Sequence, residues 1–163
     1  LFTKENMRTI LDVLESGIDM PQGHTHHPEG NVCNHSLQVF SHALHECEDV
    51  NVVLAALTHD LGKVFTTDHK GHEKLSADIL RYESIVSEKT ICLVANHMRV
   101  KYYLEGKMRR FKKSLDMPYH PYFVDLVRLH RWDLMGRNPF RKIIFDREKI
   151  LEQLNSKVTK GDT

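Results

Sequence analysis

Apolar residues recur along this chain at steps of three and four with polar residues between them, the period of helices that bury one face, and nowhere do they alternate as strands require. Val50, Val53, Leu54 and Leu57 make one such stripe, and it runs directly into His59. Leu37, Phe40, Leu44 and Cys47 make a second that begins beside His35. Ile91, Val94, Ala95 and Met98 make a third around His97, and Phe123, Leu126, Val127, His130 and Leu134 make a fourth beside Asp133. The pattern predicts helices over 4–18, 32–47, 50–61, 72–84, 87–98, 119–135 and 146–156, and therefore an all-α fold. Gly62 is expected to stop the third helix, Pro118 and Pro121 to set off the sixth, and Asn138, Pro139 and Phe140 to break the chain behind it. A frayed tail is expected over 157–163.

Certain polar residues sit where this pattern asks for apolar ones. Asp133 follows Leu126 by seven residues and His130 by three, so its carboxylate borders a buried stripe, where it needs a partner; a metal ion is a strong one. Successive residues of a helix point about 100° apart, so the neighbours His59 and Asp60 serve one site only near the core-facing edge, at the inner end of their helix. His35 precedes His59 by 24 positions, and two antiparallel helices would bring them together.

Short strings then carry a resemblance. HPEGNVCNHSLQV at 27–39, HDLGK at 59–63, GHE at 71–73, NH at 96–97 and DLMGR at 133–137 resemble the HD-domain phosphohydrolase superfamily, and within it the HD domain attached to bacterial CCA-adding tRNA nucleotidyltransferases. The motif core spans about 27–137, within a single HD domain expected over 1–163. The resemblance implies a helical bundle with a metal site in its core cleft. It implies that His35, His59, Asp60 and Asp133 form the basic metal site and that His72 and His97 complete a second one, with Asp60 as the bridge. His69 competes with His72 for that role, and the GHE string favours His72. Lys63 matches a lysine that contacts a substrate phosphate in some relatives. Asn31 is a departure, since related strings often carry Asp there.

Composition removes other classes. With 163 residues the chain can bury one core; 40% hydrophobic and 28% charged residues are ordinary for a folded soluble protein. No apolar run reaches the roughly 20 residues of a membrane helix, and the charged first segment reads as an amphipathic helix, not a signal peptide. Cys33, Cys47 and Cys92 are odd in number and widely spaced, which points to reduced thiols, a cytoplasmic setting and no cysteine zinc site. Imidazole and carboxylate donors suit one or two divalent transition metals among manganese, iron, nickel, cobalt and zinc. The other histidines read as structural or exposed: His24, His26 and His27 in a loop, His130 packing or donating to Asp133, and His42, His45 and His120 at helix edges or in solvent.

The net charge is only +1, yet Arg99, Lys101, Lys107, Arg109, Arg110, Lys112 and Lys113 crowd one stretch with Tyr102, Tyr103 and Phe111 between them. That stretch, 99–117, reads either as a lid over the metals that holds phosphates and stacks bases or as a solvated segment whose aromatics pack down. Lys63, Arg99, Lys101 and Arg137 are the expected phosphate contacts, and Asp60 and Lys63 the catalytic residues. The function implied is hydrolysis of a phosphate ester of a nucleotide or RNA end, as a phosphomonoesterase or 2′,3′-cyclic phosphodiesterase, through a metal-bound hydroxide. The alternatives are a mixed-valent di-iron oxygenase of the same superfamily and a non-catalytic nucleotide-binding module. Sequence leaves the oligomeric state open.

Overall fold

Three helices begin on side chains that accept a hydrogen bond from the orphan amides of a first turn. Asn31 takes the amide of Asn34 at 2.8 Å, Asp49 that of Asn51 at 2.9 Å, and Ser87 that of Thr90 at 3.2 Å. They open α2 (Val32–Glu46), α3 (Val50–Thr58) and α5 (Glu88–Leu104), which with α1 (Arg8–Ser16), α4 (His72–Leu80), α6 (Phe123–Met135) and α7 (Arg147–Val158) are the α-helices that the computed structural model describes. The departure at Asn31 thus preserves a function, because Asn and Asp cap about equally well. The structure describes residues 1–23, 25–66, 68–108 and 116–158, and among them there is no strand, only a single bridge between Pro21 and Asn31.

The third helix is the hub. Every residue from Val52 to Thr58 is buried, and α2, α5, α6 and α7 pack around it. The one hydroxyl in that run, on Thr58, donates back to the carbonyl of Leu54 at 2.7 Å, so nothing polar is left unpaired. Trp132 of α6 is fully buried, and its indole N–H donates to Glu46 at the end of α2 at 2.6 Å, tying those helices together. Among the described residues no helix is long and apolar enough to cross a membrane.

Several expected boundaries move. The first helix runs only from Arg8 to Ser16, and the last two positions of its expected reach fall in a 3-10 turn at Gly17–Asp19. The third ends at Thr58, before His59, and after the His59–Asp60 pair a separate 3-10 turn runs over Leu61–Phe65. Gly62 therefore does not terminate the helix; it lets that turn lie against α4, since a Cβ there would fall 2.2 Å from the carbonyl oxygen of His72 and 2.9 Å from the amide of Ser76. The fifth helix continues to Leu104, so the first third of the basic stretch is helix, not lid; Arg109, Arg110, Phe111, Lys112 and Lys113 lie outside the described residues, as do His24 and 159–163 of the tail. The sixth helix begins at Phe123 and buries Leu126, Leu129 and Trp132, whereas Leu134 is exposed. Trp132 turns that helix: the largest apolar side chain takes the inward position, and a stripe at steps of three follows from it.

Candidate metal centre

Five helices and one turn deliver the expected ligands to a common point. His35 comes from the first turn of α2, His59 from the residue that caps α3, Asp60 from the start of the 3-10 turn, His72 from the first residue of α4, His97 from the middle of α5 and Asp133 from the last turn of α6. Donor atoms of His35, His59, Asp60 and Asp133 lie within 4.8 Å of one another, and so do those of Asp60, His72 and His97. The two carboxylate oxygens of Asp60 divide between the sets. Oδ2 is 3.4 Å from His35 Nε2 and 3.2 Å from His59 Nε2, while Oδ1 is 3.1 Å from His72 Nε2 and 3.6 Å from His97 Nε2. Asp133 Oδ1 closes the first set at 2.8 Å from His35 and 3.3 Å from His59.

The proton positions test whether this cluster fits a cation. His59, His72 and His97 each direct Nδ1 at a backbone carbonyl three residues back, of Ala56, His69 and Val94, at 2.8, 2.9 and 2.7 Å. A carbonyl only accepts, so Nδ1 carries the hydrogen and a neutral ring has only a lone pair at Nε2. The Nε2 atoms of His72 and His97 nevertheless face each other at 3.2 Å, with Asp60 Oδ1 beside them. Three acceptors converging without a donor repel unless a cation lies among them. Ligands held about 2.1 Å from one ion at right angles or tetrahedrally are about 3.0 to 3.4 Å apart, the range in which most of the spacings here fall. The residues present fit a divalent metal.

A family model described as the HD domain matches residues 32–144. The chain belongs to the HD domain family. Among curated proteins it is similar to the Multifunctional CCA protein of Paraburkholderia phymatum, 26% identical over an alignment of 160 residues that covers 88% of this chain and 38% of that protein. It is also similar to the proteins of the same name from Methylococcus capsulatus, 35% identical over 79 residues (45% of this chain, 19% of that protein), and Burkholderia mallei, 38% identical over 77 residues (44% and 19%). The chain spans at most 38% of the length of these relatives.

Without metal, protons occupy part of the first set of donors in this HD domain. Burial alone would lower the imidazole of His35, but its hydrogen bonds to Asp133 and Glu29 prevail and raise it to about 9. His59 is likewise opposed by burial and raised to about 10 by Asp60 and Asp133. Burial acts against the charged forms of Asp60 and Asp133 too, and their histidines hold both carboxyls well below the usual range. Burial keeps His97 below its ordinary value, so it stays neutral.

Glu29 escaped the reading of the sequence. It is fully buried, and its carboxylate receives Nδ1 of His35 at 2.6 Å and Nδ1 of His27 at 3.2 Å. Nδ1 of His35 thereby meets an anion at hydrogen-bond distance as well as a carbonyl, that of Gly136 at 2.9 Å, whereas Glu73 Oε2 lies 3.8 Å from Nδ1 of His72. A carboxylate behind a ligating imidazole fixes its tautomer and raises its basicity. Glu29→Gln keeps an acceptor but removes the charge, and is expected to weaken metal binding by the His35 set about 10- to 100-fold while sparing the His72 set. Competition against a graded series of chelators reads the two affinities, and equal loss at both sets would contradict this. The available signal was Glu29 six positions before His35 in the HPEG string; a loop has no period to say which residues turn inward.

The remaining expected residues separate. Lys63 is buried, with Nζ 3.3 Å from Asp60 Oδ2 and 3.1 Å from Gln22 Oε1. Lys101 and Arg137 line the cavity over the cluster, together with His69, whose carbonyl serves His72 while its own ring stays out of both donor sets. Arg99 does not line it: two residues past His97 is about 200° around the helix, and its guanidinium donates instead to Asn96 at 3.0 Å. His27, expected in solvent, is held against Glu29 with its side chain 13% exposed. His130 is half-buried, but the hydrogen bonds to Asp133 come from His35 and His59.

Proposed function

We propose that this HD domain is a divalent-metal-dependent phosphohydrolase that cleaves a phosphate ester of a nucleotide or an RNA end, as a phosphomonoesterase or a 2′,3′-cyclic phosphodiesterase. The observation that carries the reading is the division of Asp60 between two histidine pairs beneath a cavity walled by Lys63, Lys101 and Arg137. His35, His59, Asp60 and Asp133 would hold one transition ion, and Asp60, His72 and His97 a second. Bound there, such ions acidify water and neutralise charge gathering on phosphoryl oxygens. Asp60 bridges and orients the two sets. Lys63, pinned between Asp60 and Gln22, presents its remaining hydrogen to a substrate oxygen, and Lys101 and Arg137 offset further phosphate charge. The ammonium and guanidinium groups favour a phosphate over dioxygen chemistry. The RNA end is chosen on the motif strings shared with CCA-adding tRNA nucleotidyltransferases, and a cytoplasmic setting on the three free cysteines.

Metal analysis of the purified protein, followed by a phosphate-release screen over cyclic, mono- and triphosphate nucleotides with Asp60→Ala as control, tests the reading. Metal-dependent release that the control lacks supports it. Oxygen consumption by an iron-loaded protein without phosphate release would select the oxygenase, and nucleotide binding without turnover under any metal the non-catalytic module.

Acid should defeat the site. Because His35 and His59 are raised to about 9 and about 10, each holds a proton at neutral pH that metal must displace. Loading with Mn²⁺ at pH 7 is therefore expected to release about two protons, with apparent affinity climbing as pH rises toward 10 and collapsing in mild acid. Calorimetry in buffers of different ionisation enthalpy counts the protons; no release at pH 7 would refute the expectation.

A further inference from the structure

The metal cluster occupies only the floor of a larger hollow. The chamber bounded by Asp60, His72, Asp133 and Met98 holds about 180 Å³. It shares Lys63, Lys101 and Arg137 with an outer chamber of about 510 Å³, to which Gln22, Lys107 and Leu134 contribute. The inner volume suits a phosphoryl group and excludes a nucleoside, so the rest of any nucleotide must lie in the outer one, whose size is that of an ordinary ligand site.

The outer walls are wrong for a neutral sugar and base alone. Among the described residues four cations, Lys63, Lys101, Lys107 and Arg137, stand there against a single acid, Glu105, which lies 3.4 Å from Lys107. Neither Lys101 nor Arg137 has an ion pair among the described residues, and Nε of Arg137 is buried without a hydrogen-bond partner. Gln22 adds an independent sign. Its side chain is 5% exposed, and the ammonium of Lys63, which can only donate, takes its carbonyl oxygen. The amide nitrogen must then point the other way, and it too is buried with no partner. Buried donors left unpaired are costly, and two at the wall of one cationic chamber ask for an acceptor bearing negative charge. Among the described residues no Phe, Tyr or Trp, the faces that would stack a base, lines this chamber.

We infer that the outer chamber is a subsite for a second phosphate that is not hydrolysed, so that the preferred substrate carries one phosphate at the metals and another beyond its sugar. The inference rests on the phosphate-ester reading above. Two sources share this chemistry: the last internal phosphodiester of an RNA end, and a free nucleoside phosphorylated at both ends.

The test presents the ester selected by the screen in three forms: as a mononucleotide, with an added phosphate at the far end of the sugar, and at the terminus of a dinucleotide. kcat/KM is compared for pairs that are turned over, and calorimetric Kd on the Mn²⁺-loaded protein for pairs that are not. A second phosphate is expected to improve the constant at least about tenfold, mainly through KM. Arg137→Ala and Gln22→Ala should each bring the ratio of two-phosphate to one-phosphate constants toward one, whatever happens to either constant separately. A dinucleotide preferred over the bisphosphate identifies the RNA end, and the reverse the free nucleotide. Equal constants for one and two phosphates, or a ratio unchanged in both variants, would overturn the subsite. A tenfold binding preference without turnover of any substrate would retain the subsite and reject the hydrolase reading.

Discussion

Asp60→Ala is expected to abolish metal-dependent phosphate release, with a fall of about a thousandfold or more, equivalent to about 4 kcal/mol of lost transition-state stabilisation. The size follows from the place of the carboxylate. Its Oδ2 lies 3.2 Å from His59 and 3.3 Å from Lys63, and its Oδ1 3.1 Å from His72, so one truncation disables both donor sets and releases the lysine. Without Asp60 the second set keeps only two imidazoles, too few to retain an ion against water. His97→Ala is the informative comparison, because it removes one donor from the second set and leaves the four of the first intact. Metal content by mass spectrometry should fall by one ion in His97→Ala and by more in Asp60→Ala, with circular dichroism checking that both remain helical. An active, fully metallated Asp60→Ala protein would refute the proposed roles outright.

Gly62→Ala should destabilise the protein by about 3 kcal/mol or more, although it adds a single methyl group. The atoms that a Cβ would meet are the carbonyl oxygen of His72 at 2.2 Å, Cβ of Leu75 at 2.8 Å and the amide of Ser76 at 2.9 Å. None is the end of a flexible side chain, so α4 must move as a body and give up the hydrogen bond from the amide of Gly62 to Ser76 Oγ, now 2.8 Å. His72 opens that helix and would leave Asp60 with it. A drop in Tm of about 6 to 12 °C is expected, together with loss of one bound ion. Gly23→Ala, where the added carbon meets nothing within 4 Å, serves as control. Wild-type Tm and metal content in Gly62→Ala would show that the contact between turn and helix is softer than its geometry implies.

Much of this site could be read along the chain, and its failures have a common form. His35, the His59–Asp60 pair, His72, His97 and Asp133 were identifiable from strings and from their places beside apolar stripes, and all six converge. The charge of Arg99 says nothing of helical phase; because α5 runs on to Leu104, Lys101 falls on the side of His97 and Arg99 opposite. The observed stripe of α6 departs from the expected one because Trp132, two residues from both His130 and Leu134 and so off the expected line, outweighs the smaller residues in choosing the inward face. Gln22 and Glu29 lie in a segment with no periodicity, and only packing reveals that both are buried.

The order of residues specifies the helices and the kinds of donor atom available, because period and side-chain chemistry are properties of a residue and its near neighbours. The division of Asp60 between two histidine pairs, the anion behind His35 and the unpaired donors of Gln22 and Arg137 exist only after packing. Each depends on the orientation of a side chain relative to atoms from other segments of the chain, and that orientation is set when those segments close on one core.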